Sequence, residues 1–278
     1  MLSLKIFVLM IVLIFSAAMG WCADESSGES PGLFERIMMR RRARIAVTDI
    51  YAVSTAGFGY TALQDTRMTP LIYRAPVVAA NIQSLIYRPK ALILFSIPAY
   101  FAYPITPKSI AGEEAYYVMR GTVDLAYLRQ FQRAPLALGG GVMFTAGARL
   151  QSSLGNSATN VDFIASVFPT LRWEDDFSLL KRPAIWHIQA TVPIYSFVTR
   201  LPAYNLPMVG PQIIWAFPWR FYRVRIKAGI SRLLQHSEEN RLNIEYSYDF
   251  YGLSVKDSTH RLALGLHTLT VGYAMKRM

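Results

Sequence analysis

Apolar and polar residues alternate with a period of two along most of this chain. Between Tyr222 and Leu233, Tyr222, Val224, Ile226, Ala228 and Ile230 fall on one side, while Arg223, Arg225 and Lys227 fall on the other. Successive side chains leave a strand on opposite faces, so this pattern predicts a strand with one oily and one cationic face. The same alternation recurs near 44–57, 76–87, 91–103, 115–129, 136–150, 160–173, 184–196, 211–219, 241–253 and 262–277.

The runs are long. Strands of soluble sheets average about 5–6 residues, whereas a strand crossing a bilayer at a tilt needs about 9–11, and most of these runs reach that length. Their apolar faces also begin or end in Tyr117, Tyr127, Trp173 and Trp186, as the aromatic girdles of membrane barrels do. The pattern therefore predicts an all-β, transmembrane, antiparallel up-and-down β-barrel. Eleven runs are visible, and bacterial barrels have even strand numbers, so the expectation is twelve strands, with ten as the alternative. A soluble barrel with its polar face outward is the competing arrangement.

If lipid covers the oily faces, the other faces line the lumen. They carry Arg120, Asp124, Arg149, Asp162, Arg172, His187, Arg223, Arg225, Lys227, Glu245 and Asp249. A turn near 235–240 would bring Glu245 and Asp249 beside the three cations of the preceding strand, and buried charges are tolerated only when paired or hydrated. A turn centred near Leu179 would set His187 opposite Thr170. Short connections at Arg88–Lys90, Gln132–Pro135 and Pro218–Arg220 largely alternate with longer ones at Thr61–Pro76, Pro104–Glu114, Ser152–Asn160 and Ser196–Pro211. Glu174–Pro183 reads as a turn too long for its side of the barrel.

Composition agrees with this reading. Hydrophobic residues make up 53% of the chain, with 16 Tyr, 15 Phe and 5 Trp. After the first residues no apolar stretch is long enough for a spanning helix. The net charge of +11 suits an anionic membrane surface, and with no basic-aromatic recognition motif nucleic acid is not an expected partner.

The first 23 residues read as a signal peptide: Lys5, an apolar run over Ile6–Phe15, then Ser16, Ala17, Ala18 and Gly20, with cleavage after Gly20 or Ala23. Cys22 is the only cysteine; cleavage after Ala23 leaves no thiol, while lipidation of Cys22 is opposed by bulky Trp21. Residues 24–43 read as a periplasmic leader. Its Leu33–Arg44 end mixes apolar and basic residues, suiting either a helical turn on a membrane surface or a solvated linker. The barrel takes 44–278.

Over 44–278 the chain resembles bacterial outer-membrane β-barrel proteins. The final run LTVGYAMKRM, Leu269–Met278, alternates like the terminal strand that the barrel-assembly machinery recognises, although such strands commonly end in Phe and this one ends Lys276-Arg277-Met278. MTPLIYR, Met68–Arg74, looks like a loop of small barrels with no assigned activity. The resemblance implies an outer-membrane location, with outer-membrane lipid, lipopolysaccharide and the assembly machinery as partners. It leaves the oligomeric state open.

Little points to catalysis. Outer-membrane phospholipases and lipid A deacylases are similar in size and carry His-x-Ser, which this sequence lacks. His236, His260 and His267 have no local nucleophile or carboxylate at useful spacing, and the acidic pairs Asp175-Asp176 and Glu113-Glu114 read as solvated loop charges. Four scattered His give no metal-ligand spacing, so neither metal nor cofactor is expected. Gly139-Gly140-Gly141 lies mid-strand, not in a phosphate loop. The leading expectation is a non-enzymatic barrel, either a narrow pore biased towards anions or a plugged structural barrel. A lipid-modifying or proteolytic enzyme, or a protein presenting the 61–76 and 196–211 loops, are the alternatives.

Overall fold

The structure, a computed structural model, describes residues 48–65, 69–102, 116–131, 134–151, 158–180, 182–202, 212–234, 239–254 and 261–277. They form β1 (Asp49–Asp65), β2 (Thr69–Arg88), β3 (Ala91–Ala102), β4 (Tyr116–Gln130), β5 (Leu136–Gln151), β6 (Ala158–Leu179), β7 (Arg182–Thr191), β8 (Tyr195–Pro202), β9 (Gln212–Ala216), β10 (Phe221–Leu233), β11 (Arg241–Ser254) and β12 (Arg261–Arg277). The expected signal peptide, the leader, and with them Cys22, lie outside the described residues.

The sheet closes on itself. β5 through β1 pair in sequence, β1 pairs with β12, and the ladder runs on through β11, β10 and β7 to β6, which pairs back to β5. All of these pairings are antiparallel. Twelve strands occupy ten positions round this ring, because two positions are broken. β7 and β8 both lie along β6, one below Thr170 and one above Val167. Between them Pro193 has no N–H to give the ladder, yet Val192 N–H still donates to Pro169 O and Ile194 N–H to Val167 O. β9 and β10 likewise share a position, along β8 and β7 respectively. Four residues are extruded between them, where Arg220 and Phe221 N–H both donate to Phe217 O at 2.9 and 3.0 Å.

The register sets the tilt. A path across the strands from Asp49 through Tyr87, Leu92, Leu128, Gly139, Thr170, Thr191, Arg225, Asp249 and Leu266 returns to β1 at Thr61, twelve residues from its start. With about 3.3 Å per residue and about 4.8 Å between strands, that offset tilts the strands by roughly 40°. Each residue then rises about 2.5 Å, so a hydrocarbon band of about 25 Å takes about ten residues. The outward face of β2 supplies them: between Arg74 and Arg88 it presents Pro76, Val78, Ala80, Ile82, Ser84 and Ile86. Phe58, Val78, Ile82 and Phe144 are each more than half exposed on the outer wall.

Several turns differ from expectation. Thr61–Pro76 is not a long loop: β1 runs to Asp65, β2 starts at Thr69, and Gln64 pairs with Ile72. The polar TALQDTRMT stretch hides an alternation in which Thr61 and Leu63 point inward and are buried. Met68–Arg74 accordingly belongs largely to β2. Glu174–Pro183 is not an overlong turn but the end of a hairpin, tightened by Leu180 in the left-handed region at φ 52°. Lys90 makes the equivalent bend between β2 and β3 at φ 65°. These bends define a turn end of the barrel. Most of the longer connections, at 103–115, 152–157, 203–211 and 255–260, leave from the opposite, loop end.

Candidate functional site: the lumen

Alternation aims β10 residues Arg223, Arg225 and Lys227 into the barrel, and antiparallel pairing with β11 sets Arg225 beside Asp249 and Gly229 beside Glu245. Arg223 clamps Asp249 with two bonds, Nε to Oδ1 at 2.8 Å and Nη2 to Oδ2 at 2.5 Å. Lys227 Nζ lies 3.5 Å from Glu245 Oε1. A bidentate guanidinium–carboxylate pair holds both direction and distance, which makes β10 and β11 one rigid charged wall.

That wall reaches across the lumen. Arg225 Nη1 donates to Asp124 on β4, and Arg223 Nη1 donates to Thr145 on β5 at 3.0 Å. Arg120 on β4 returns the contact, with Nη2 3.1 Å from Asp249 Oδ2. Arg120 also lies over the ring of Tyr251, 4.6 Å from its centroid. Ser96 donates to Asp124 Oδ2 at 3.1 Å. Three arginines therefore converge on Asp249, and Asp124 takes the overflow.

Two smaller clusters flank this one. Towards the loop end, Asp162 accepts from Arg200 Nε at 3.0 Å and pairs with Arg149. Towards the turn end, Glu174 accepts from Arg172 Nε at 2.9 Å and from the Tyr87 hydroxyl, which has crossed from β2, at 3.1 Å. His187 faces Glu174 across the ladder, not Thr170, which pairs with Thr191. The β6–β7 bend is centred beyond Leu179, between it and Arg182, so the whole register moves. Nε2 of His187 lies 3.4 Å from Glu245 Oε2.

The structure thus places Arg120, Asp124, Arg149, Asp162, Arg172, His187, Arg223, Arg225, Lys227, Glu245 and Asp249 inside the barrel, all buried. It adds Arg200 and Glu174, which sequence reasoning had left in a loop and a turn. The signal for both was there: Ser196, Val198 and Arg200 alternate, and Glu174 continues the inward row of Asp162, Thr170 and Arg172. Among the described residues, seven buried Arg and Lys meet five buried carboxylates.

Apolar clusters lie on either side of the central group around Asp249 and Asp124, at the levels of the two flanking ionic clusters. Towards the loop end Leu63, Val77, Val118, Ile164, Phe221, Leu253 and Leu264 pack together with Tyr251. Towards the turn end Tyr51, Tyr87, Leu92, Leu94, Leu128 and Phe168 do so. A cavity of about 30 Å³ beside His187 and Arg172 and one of about 50 Å³ between Tyr100, Lys227 and Glu245 are water-sized. Two of the four histidines, His236 and His260, lie outside the described residues, as do Glu113 and Glu114. His267 is on the outer wall, with Nδ1 2.6 Å from the Tyr246 hydroxyl and its ring 4.7 Å from that of Tyr248. Asp175 and Asp176 sit at the turn end, where the Asp176 N–H donates to Asp175 Oδ1. No group of three metal-ligating side chains occurs among the described residues.

No family model matches the chain, and no curated protein is similar in sequence. Solved structures that it resembles are outer-membrane barrels. Ail, the attachment invasion locus protein of Yersinia pestis, is 10% identical with a TM-score of 0.34, over 81% of this chain and 98% of that one. The translocator domain of autotransporter NalP from Neisseria meningitidis is 8% identical with a TM-score of 0.43, over 86% and 94%. The Pseudomonas putida toluene transporter TodX is 6% identical with a TM-score of 0.32, over 81% and 89%. By its own topology, oily outside and charged inside, this chain is a closed antiparallel up-and-down β-barrel of the outer-membrane type.

Proposed function

We propose that this protein is a non-enzymatic outer-membrane barrel whose lumen is sealed, serving as a structural or anchoring element and not as a solute pathway. One observation carries the reading: side chains from opposite walls meet in the middle of the barrel, Arg120 on Asp249 and Arg225 on Asp124. Ten-position barrels have room for little more than their own side chains. Here the space is taken by interlocked ion pairs, with apolar clusters on either side of the central Asp249–Asp124 group. The cations in the band favour anions electrostatically, but each is drawn towards a carboxylate in the same layer.

Reconstitution into planar bilayers tests this. The sealed reading expects no steady single-channel steps; reproducible, anion-selective steps from the unmodified protein would replace it with the narrow-pore reading. Export follows from the same proposal: the amino-terminal signal peptide directs the chain across the inner membrane and is removed by cleavage after Gly20 or Ala23. Amino-terminal sequencing of the outer-membrane form is expected to begin at Trp21 or Asp24.

A further inference from the structure

A cavity rich in hydrogen-bond donors lies inside the barrel near its turn end. Tyr51 of β1, Gln83 of β2, Ser231 of β10 and Arg241 and Asn243 of β11 line it, with Arg172 and His187 closing the space from β6 and β7. The ladder gathers them. Ser231 pairs with Asn243, Arg241 with Ala274, Ala274 with Val53, and Val53 with Gln83. The cavity measures about 30 Å³, room for about two waters and hence for a single monatomic ion.

Its charge does not balance. Arg172 is answered by Glu174, and His187 lies beside Glu245. Arg241 forms no ion pair with a carboxylate among the described residues. Its Nη2 lies 3.5 Å from the Tyr51 hydroxyl, its guanidinium 5.2 Å from the centre of that ring, and its Nε is buried without an acceptor. At the mouth Asp49 and Glu239 lie beside Lys276. Among the described residues no carboxylate lines the cavity.

The rest of the lining suits a negative guest. Ser231 donates to Asn243 Oδ1 at 2.6 Å, so the group Asn243 has left to offer is its amide N–H. Tyr51 accepts from Arg241 and keeps its own proton to donate. Val53, Leu85, Ile185 and Ala274 complete the wall with hydrocarbon, and a cation in such surroundings is strongly destabilising without a counter-charge.

We propose that this cavity binds one halide ion, chloride in the cell, held by the Arg241 guanidinium with Tyr51 and Asn243. Phosphate and sulfate are larger than the space of two waters. The inference goes beyond the sealed-lumen reading and stands apart from it: bilayer recording tests the seal, and halide linkage tests the site.

Urea unfolding of the full-length barrel in detergent is followed at rising chloride, with gluconate holding the ionic strength constant. A ligand of the folded state raises the folded-to-unfolded ratio about tenfold for each tenfold rise above its dissociation constant, and a rise of this form is expected. A ratio that is the same in chloride-free and physiological buffer overturns the site. Bromide is expected to replace chloride; phosphate acting as strongly as chloride overturns the halide assignment. Arg241→Gln is expected to abolish the dependence. Asn243→Asp builds a carboxylate into the cavity and is expected to abolish it without loss of urea resistance. Chloride dependence that survives Asn243→Asp overturns the site even where Arg241→Gln does not fold. Arg129→Gln removes an exposed arginine from the outer wall at the same end and is expected to keep the full dependence; its loss there would show a response to net charge and overturn the site. Crystals grown in bromide are expected to give an anomalous peak between Arg241 and Asn243, and bromide on the outer surface alone, an adventitious ion only, overturns the proposal.

Discussion

Arg120 and Asp249 stand five positions apart in a ring of ten, on opposite walls of the barrel, and their side chains meet at 3.1 Å. Arg223 and Arg225 approach the same carboxylate from the next strand. Asp249 is therefore the point at which the two halves of the ring are tied together through the lumen. Asp249→Ala strips the shared counter-charge from three buried guanidinium groups. Leaving a buried charge uncompensated costs about 3–5 kcal/mol, so the variant is expected to unfold at markedly lower urea in detergent, read by loss of heat-modifiable gel mobility. It is also the variant expected to show flickering conductance in planar bilayers.

Arg225 and Asp124 provide a charge-swap test of the same tie. Arg225→Glu alone sets a carboxylate against both Asp124 and Asp249, and a loss comparable to that of Asp249→Ala is expected. Combining it with Asp124→Arg restores one opposite pair across the lumen. Recovery of half or more of the lost urea resistance is expected in the double variant. No recovery would show that the two side chains do not meet.

Much of this was legible in the sequence. Alternation alone separated the oily wall from the charged one, because a period of two leaves no freedom about which residues share a face. The strand count was harder. The Phe217–Arg220 extrusion divides one ring position into two runs, 211–219 and 221–234, so counting runs gives eleven for ten places, while the run 184–196 passes straight through Pro193, where the structure has two strands in one position. The partners across the lumen could not be read at all. Arg225 and Asp124 are 101 residues apart, and their meeting depends on how far the ladder shifts in going round the whole ring. The same holds for His187, which moved from Thr170 to Glu174 once the bend after β6 was fixed.

Gly229 is the neighbour that lets His187 into the lumen. A methyl group at Gly229 would lie 2.5 Å from His187 Cε1 and 3.0 Å from the Ile244 carbonyl oxygen. Gly229→Ala is expected to cost about 1–3 kcal/mol by overpacking. Because the closest clash is with a side chain, Gly229→Ala/His187→Ala is expected to recover most of that loss in a double-mutant cycle. Additive losses would mean that the imidazole lies elsewhere.

Gly121, on the outer wall, and Gly141, on the inward row of β5, should respond in opposite ways. A Cβ at Gly141 would sit 2.0 Å from the Leu125 carbonyl oxygen, where neighbouring backbone leaves no space; at Gly121 nothing lies within 4 Å. Gly141→Ala is expected to prevent folding into vesicles or lower the yield severely. Gly121→Ala is expected to fold as well as the unmodified protein or slightly better, since it gains strand propensity without a clash.

The Tyr246–His267 pair shows how a polar group survives on a face given over to lipid. His267 lies inside the outward row Tyr273, Val271, Leu269, and its Nδ1 is 2.6 Å from the Tyr246 hydroxyl. In hydrocarbon neither group has water as a substitute partner. Tyr246→Phe leaves the imidazole nitrogen bare, and a loss of about 1–3 kcal/mol is expected. His267→Leu bares the hydroxyl and is expected to cost less, because lipid solvates leucine well. The double variant Tyr246→Phe/His267→Leu removes both polar groups and is expected to match the unmodified protein within about 0.5 kcal/mol. Urea titration of all four forms in phosphatidylcholine vesicles measures the cycle. A double variant less stable than Tyr246→Phe alone would show that His267 works through some other partner and that this part of the wall does not face lipid.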